Sequence, residues 1–374
     1  MKTKTAKALR TDPRSWDVRY RSIANLETRL LSAVREGFHQ PPFLSVTDWA
    51  AQNRFLTGAE AGRYDPRRCR YQREIQDCFC DSEVREITWQ AAERVGKSTV
   101  ASNIIGFIVD REPSNILMVM PTRESMGDFA KDELEVMLRS SPSLWNKVSA
   151  GRVSMGKTSN IRRRTFLGGV LSLVGGGSSS PLAFRTVRVV VLDEIDKFKI
   201  IPGEGDADAL AAKRVSTYGE DFKVLRFSKP TVEGESRIAR HFARGSQAQY
   251  FVSCPQCGEF QVLSWSALRF DDVVVRCVHC NAFHDQDAWL SSPAEWRHAA
   301  PEIHHHRSFQ CSVLVSPLIR WGTLIGEYRE AIAALQAGDP SLVQVWENSR
   351  LGQVFSGRVD RIEPGTLYAR REVF

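Results

Sequence analysis

Gln90-Ala-Ala-Glu-Arg-Val-Gly-Lys-Ser98 is the stretch on which the reading of this 374-residue chain turns. It follows a short apolar run, Glu86–Trp89, and opens a helical pattern over Ser98–Val109. A phosphate-binding loop reads G-x-x-x-x-G-K-[ST], and Gly96, Lys97 and Ser98 fill its diagnostic end. A glycine lets the backbone turn its N–H groups onto phosphate oxygens. The lysine reaches the β- and γ-phosphates, and the serine hydroxyl ligates Mg²⁺. The helix next in the chain presents its positive end to the anion. Ala91 stands where the first glycine of the pattern belongs. It is disfavoured there if that position needs a positive φ.

The second half of such a site lies 95 residues beyond Ser98, in Val187-Arg-Val-Val-Val-Leu-Asp193-Glu194. A buried strand that ends in two carboxylates is the Walker B arrangement. Asp193 is expected to hold Mg²⁺ and Glu194 to orient the attacking water. Asp196 reads as a solvated residue at a helix start. Arg94, inside the loop, is placed to stabilise charge on a transferring γ-phosphate. The run Arg162-Arg163-Arg164 offers alternative cations from a neighbouring subunit, and the sequence leaves that choice open.

Around this pair the chain alternates short apolar runs with helical patterns. Strands are expected at Glu86–Trp89, Ile116–Met120, Phe166–Val174, Val187–Leu192 and Lys223–Phe227. The clearest helices are Ser98–Val109 and Thr122–Arg139, with Thr122 as N-cap. The alternation implies an α/β fold with a mostly parallel central sheet. Residues 1–45 read as a basic N-terminal arm and 46–248 as the nucleotide-binding core. Residues 249–290 form a separate cysteine-bearing unit, and 291–374 a C-terminal helical segment and linker. Gly175–Ser180 reads as a flexible loop, and His304-His305-His306 as part of another.

Cys254-Pro-Gln-Cys257 and Cys277-Val-His-Cys280 are separated by nineteen residues. Two C-x2-C knuckles at this distance offer four thiolates to a tetrahedral Zn²⁺, the arrangement of a zinc ribbon. Four sulfurs leave no open coordination position, so the metal is expected to be structural. Whether the ribbon also touches DNA stays open.

Net charge is +7, and the basic residues cluster. Lys147, Arg152, Lys157 and Arg162–Arg164 occur with no acid between them, and Arg63, Arg67, Arg68, Arg70 and Arg73 face only Asp65. Such clusters favour a phosphate backbone. Arg162, Arg163 and Arg164 are the DNA-binding candidates. No apolar stretch approaches a membrane span, and no apolar core follows the basic start as in a signal peptide.

Taken in order, several motifs resemble the large terminase subunit of bacteriophages of the lambda, or GpA, type. They are Tyr71-Gln-Arg-Glu-Ile75, Arg94-Val-Gly-Lys-Ser98, Met120-Pro-Thr-Arg-Glu124, Val191-Leu-Asp-Glu-Ile-Asp196, Phe227-Ser-Lys-Pro-Thr231 and Cys254-Pro-Gln-Cys257-Gly. The likeness continues through Gly203-Glu-Gly-Asp206, Gly234-Glu-Ser-Arg-Ile238, Ser316-Pro-Leu318 and Trp346-Glu-Asn-Ser-Arg-Leu-Gly352. The resemblance implies a P-loop NTPase of the ASCE type with an inserted zinc-ribbon-like subdomain. It would hydrolyse ATP with Mg²⁺ and drive double-stranded DNA into a procapsid.

By the same resemblance Tyr71 and Gln72 flank the adenine, and Arg94, Val95, Gly96, Lys97, Ser98 and Thr99 bind nucleotide. Ser98 and Asp193 hold magnesium, Glu194 and Arg94 are catalytic, and Ser228 and Thr231 couple hydrolysis to DNA movement. Lys229 stands in that coupling motif where a small polar residue is usual. Implied partners are DNA, a terminase small subunit and the portal or procapsid, in a homo-oligomeric ring in the host cytoplasm. The nuclease domain of such proteins is expected to be absent, so no nuclease activity is expected. Two other readings stand beside this one: another DNA-dependent ATPase or helicase, and a nucleotide-binding assembly module without turnover.

Overall fold

A computed structural model describes residues 43–58, 61–155, 162–177 and 186–356. The N-terminal arm therefore lies almost wholly outside the described residues, as do the end of the 175–180 loop and residues 357–374. In chain order, α1 is Val46–Asn53, α2 Gln72–Asp77, β1 Glu86–Ala91, α3 Lys97–Asp110 and β2 Ile116–Met120. Next come α4 Arg123–Asp128, α5 Glu135–Ser140, α6 Pro142–Met155, β3 Arg163–Phe166, β4 Gly169–Gly175, β5 Val189–Asp193 and β6 Lys223–Ser228. The remainder comprises α7 Arg237–Arg244, β7 Ala248–Ser253, β8 Phe260–Gln261, α8 Gln286–Ser291, β9 Ala294–His298, β10 His306–Cys311, α9 Trp321–Gln336 and α10 Ser341–Trp346.

These strands make one ten-stranded sheet in the order β8-β7-β10-β1-β6-β5-β2-β4-β3, with β9 paired to β7. From β7 to β4 every neighbouring pair is parallel, and only β3, β8 and β9 run antiparallel. A parallel sheet covered on both faces needs strands apolar throughout. Ile116–Met120 is buried at every position, and Val189 to Leu192 are fully buried. The mixed α/β architecture with a mostly parallel sheet is thus as expected.

Four details differ from expectation. Phe166–Val174 is a hairpin of two strands, β3 and β4, because Gly168 takes φ +88° and turns the chain back. The helix after Thr122 begins at its capping box as foreseen, but Phe129–Leu134 relaxes into a π-turn between α4 and α5. His306 is no loop residue. It starts β10, pairs with Glu86 and is buried, its ring against the Thr88 hydroxyl at 2.9 Å. Most consequentially, the sheet does not end at residue 248. β7, β9 and β10 are integral to it, and β10 lies directly beside β1, so boundaries at 248 and 290 cut through one sheet. Backbone pairing across 220 residues, His306 with Glu86, outweighs the local change in composition that suggested those boundaries.

Candidate nucleotide site and four-cysteine cluster

Loops leaving the C-terminal ends of parallel strands converge on a crevice, where such folds place their ligands. The loop Ala92–Gly96 leaves the end of β1, Asp193 ends β5, and Ser228 ends β6 between them. Lys97 opens α3 and extends its Nζ to 3.0 Å from the Ala92 carbonyl and 3.3 Å from Glu194 Oε1. The motifs separated by 95 residues in sequence therefore meet. The first amides of α3 have no intrahelical acceptor and are left facing this crevice.

Beside them lies a cavity of about 590 Å³ lined by Glu93, Arg94, Gly96, Lys97, Ser98, Thr99 and Glu194. Arg54–Thr57, Arg68, Asp132, Glu133, Val136, Met137 and Leu318 complete the lining. Burial, with the charge of Glu194 alongside and Lys97 pulling the other way, pushes the Asp193 carboxyl up to about 7. Hard oxygen donors crowded in this way suit a divalent cation. Burial raises the Glu133 carboxyl above its ordinary value, against the pull of Arg54 and of the nearby Ser98 hydroxyl.

The backbone is strained where it meets this cavity. Arg94 at φ 60° and Glu194 at φ 55° are two of the non-glycine residues with positive φ. Glu194 is held there by its N–H donating to the Phe227 carbonyl at 2.6 Å. Gly96 at φ 80° caps α3, and a Cβ on it would sit 2.3 Å from Gln72 Nε2. Ala91, in contrast, is the last residue of β1 and needs no positive φ, which explains why alanine serves there. The close approach occurs from the other side. Gly352 at φ 61° comes so near that a Cβ would stand 2.8 Å from the Ala92 nitrogen.

Further braces come from distant segments. Gln72 Nε2 donates to the Val95 carbonyl at 2.9 Å, and Ser316 Oγ donates to the Arg94 carbonyl at 2.7 Å. The Glu93 N–H donates to the Ser349 carbonyl at 2.6 Å, and Gln90 Nε2 to the Gly352 carbonyl at 2.9 Å. Lys229 Nζ reaches Glu93 Oε1 at 2.7 Å and Ser349 Oγ at 2.9 Å.

The expected site residues separate into those on the cavity and those behind it. Arg94, Gly96, Lys97, Ser98, Thr99 and Glu194 line it. Val95 is buried beneath the loop. Tyr71 is also buried, bonded to Ser316 and packed on Trp89 and Tyr250, and Gln72 is buried under the loop. Neither lines the cavity, so their place is that of supports. Ser228 is fully buried. Thr231 Oγ1 donates to Asp196 Oδ2 at 3.0 Å, and Ile238 N–H donates to Asp196 Oδ1 at 2.8 Å. Asp196 is therefore a half-buried junction between β5, β6 and α7 rather than a solvated helix start. Of the arginine run, Arg162 is exposed, whereas Arg164 is half-buried and paired with Glu135 at 2.9 Å. The upstream basic cluster is partly internal too. Arg70 donates to the Leu290 and Ser292 carbonyls at 2.6 Å. Arg54, Glu133 and the Glu93–Lys229–Ser349 contacts were invisible in sequence because no local pattern links them.

The four cysteines converge as spaced. Their sulfurs all lie within 4.8 Å of one another, with Cys254 to Cys280 and Cys257 to Cys277 each at 3.8 Å. Zn–S bonds of about 2.3 Å place the sulfurs of a tetrahedron about 3.8 Å apart, so the donor set fits that ion. The first knuckle joins β7 to β8, and the second lies between the short strands Val274–Arg276 and Phe283–His284.

Together these features define a mixed α/β protein whose strand ends gather a helix-capping lysine loop and paired carboxylates. The family described as phage terminase large subunit gpA, ATPase domain, matches residues 58–308, and the chain belongs to it. The terminase large subunit gpA endonuclease domain matches residues 306–374. That match overturns the expectation that nothing of the nuclease domain is present. Its first residues are β10 of the central sheet, and the described part continues through α9 and α10 to Gly352 against the loop.

The chain is 29% identical over 260 residues to the terminase large subunit of Escherichia phage lambda, a match covering 65% of this chain and 39% of that protein. The Thermus phage P74-26 large terminase ATPase domain aligns with a TM-score of 0.40 at 14% identity, over 75% of this chain and 90% of that one. A large terminase from a thermophilic bacteriophage gives 0.26 at 19% identity, over 41% and 36%. No helix among the described residues is long and apolar enough to cross a membrane.

Proposed function

We propose that the cavity binds MgATP and that the chain is the ATP-hydrolysing motor of a terminase large subunit, driving double-stranded DNA into a procapsid. The observation that carries this reading is the 3.3 Å approach of Lys97 Nζ to Glu194 Oε1, which puts both halves of a triphosphate site at one point. Gly96, Lys97, Ser98 and Thr99 hold phosphate oxygens, and the strained Arg94 sits where charge develops on transfer. Asp193 and Ser98 hold magnesium, which when bound neutralises charge on the phosphates. Glu194 orients and polarises the attacking water. β6 lies between the loop strand β1 and the carboxylate strand β5, the additional strand for which the ASCE type is named.

Ser228 and Thr231 couple the site to movement through Asp196, whose carboxylate joins Thr231 to the start of α7. Zinc on Cys254, Cys257, Cys277 and Cys280 is structural, and residues 254–284 form a ribbon inserted between strands of the core sheet. The exposed Arg162, with its neighbours Arg163 and Arg164, faces DNA. A small subunit, a portal or procapsid and a ring of like subunits in the host cytoplasm complete the assembly.

Phosphate release by Glu194→Gln beside the parent tests the motor. The variant should be slower by about a hundredfold or more, the scale of losing a group that acts on the transition state. Equal rates would leave nucleotide binding without turnover by this carboxylate.

A further inference from the structure

Arg54 lines the cavity, supplied by the junction after α1 and before the loop in sequence. It is only 5% exposed. Its Nε donates to Asn103 Oδ1 at 2.9 Å, while its two terminal nitrogens make no hydrogen bond or ion pair with a described residue. Glu133 contributes its field but stands beyond ion-pair distance. A guanidinium carries five donors, and those this one leaves unmatched are not sealed from the cavity, where an anionic oxygen can complete them. The open side of this one faces the space that Lys97, Ser98 and Thr99 also line.

Its anchor is itself held. Asn103 Nδ2 donates to Gln76 Oε1 at 3.0 Å, and Gln76 Nε2 donates to Thr47 Oγ1 at 2.7 Å and to the Tyr64 hydroxyl at 3.2 Å. Tyr64 reaches Gln72 Oε1 at 3.5 Å, and Gln72 Nε2 ends the chain on the Val95 carbonyl of the loop at 2.9 Å. A buried polar network satisfied along its length fixes a unique side-chain position. This one fixes the arginine and the phosphate loop to each other.

We propose that Arg54 is a nucleotide-binding residue, an in-chain cation that contacts an anionic oxygen of the nucleotide in the cavity it shares with Lys97. The inference rests on the cavity's reading as a nucleoside triphosphate site. The five-member relay through Asn103, Gln76, Tyr64 and Gln72 keeps the guanidinium in register with the loop, so the two grip one ligand. No motif marks Arg54, because its neighbours come from α1, α2, α3 and the turn before α5.

The test titrates the full chain with ATP, ADP and adenosine, comparing the parent with Arg54→Lys, Arg54→Gln and Lys97→Ala, and recording each melting temperature. Arg54→Gln should weaken ATP and ADP about tenfold to a hundredfold, the scale of a charge-assisted hydrogen bond, and leave adenosine unchanged. Arg54→Lys keeps the charge without the fork and should lose part of that. If Arg54→Gln does not fold, Arg54→Lys decides, by the smaller rise in melting temperature that ATP gives it. Parent-like affinity in a folded Arg54 variant overturns the inference while Lys97→Ala still reports on the site. A parent that binds neither nucleotide overturns the proposed function, and this inference with it.

Discussion

The cysteine cluster and the phosphate loop are held in opposite ways. The cluster's four sulfurs come from one stretch of 27 residues, Cys254 to Cys280, and meet without help from elsewhere. The loop is shaped by partners from remote parts of the chain: Gln72 before it, Lys229 at the end of β6, and Ser316, Ser349 and Gly352 far beyond. A metal can replace a core locally. A loop with Arg94 at positive φ has to be over-determined by its surroundings. The two regions are also joined. Trp265, beyond the first knuckle, packs at 4.5 Å on Trp346 and at 5.2 Å on Tyr328, and Trp346 opens the segment that braces the loop.

The largest effect expected is on the locally held region. Purified chain should carry one zinc, and binding to such sites contributes on the order of 10 kcal/mol to the folding of the unit that holds the metal. Stripping it with a chelator, or replacing Cys277 by serine, should abolish hydrogen-exchange protection over 254–284 while β1, β5 and β6 stay protected. Because Trp265 rests on Trp346, nucleotide affinity should fall as well. A metal-free chain with an intact ribbon would break the comparison at its root.

A smaller effect, with the opposite geography, is expected at Gly352. An alanine there would place its Cβ 2.8 Å from both the Ala92 nitrogen and the Cys311 carbonyl, at φ 61°. Neither neighbour is a side chain that can swing away. Overpacking of this sort costs about 1–3 kcal/mol. Gly352→Ala should therefore lower the melting temperature and weaken ATP binding, leaving zinc content at one. Unchanged nucleotide affinity would mean that the loop keeps its shape without this brace.

Legibility in the sequence divides along the same line. The knuckles were legible because ligand spacing is a local property. Lys97, Asp193 and Glu194 were legible because each sits just past the end of an apolar strand or at the start of a helix. The parallel strands β1, β2, β5 and β6 were legible from the alternation of short apolar runs with helical patterns, whereas the turn at Gly168 that separates β3 from β4 was not. The extent of the sheet was not, since β10 pairs with a strand far away in the chain and begins in a histidine-rich stretch that reads as polar. Nor was the position of Tyr71. The motif marks its neighbourhood to the loop, but only packing against Trp89 and Tyr250 shows it buried behind rather than facing the ligand. Arg54 and Glu133 had no signal at all, because helix faces bring them together without any fixed spacing.

The finest test concerns Lys229, the residue that departs from a small polar type in the coupling motif. Its ammonium spans Glu93 of the loop and Ser349 of the brace, so the departure has a structural use: a cation at the end of β6 ties both together. The pair is partly solvated, with side chains 20% and 42% exposed, and such pairs contribute about 1 kcal/mol or less. Lys229→Met should thus leave the melting temperature nearly unchanged. If the tie serves coupling, the change should appear as a few-fold loss in DNA-stimulated phosphate release with the basal rate intact, and it should shrink in a Glu93→Gln background where the partner is already neutral. Equal losses in both backgrounds would show that Lys229 acts on something other than the loop, and the remote bracing of this site would then rest on Gln72, Ser316 and the Ser349–Gly352 backbone alone.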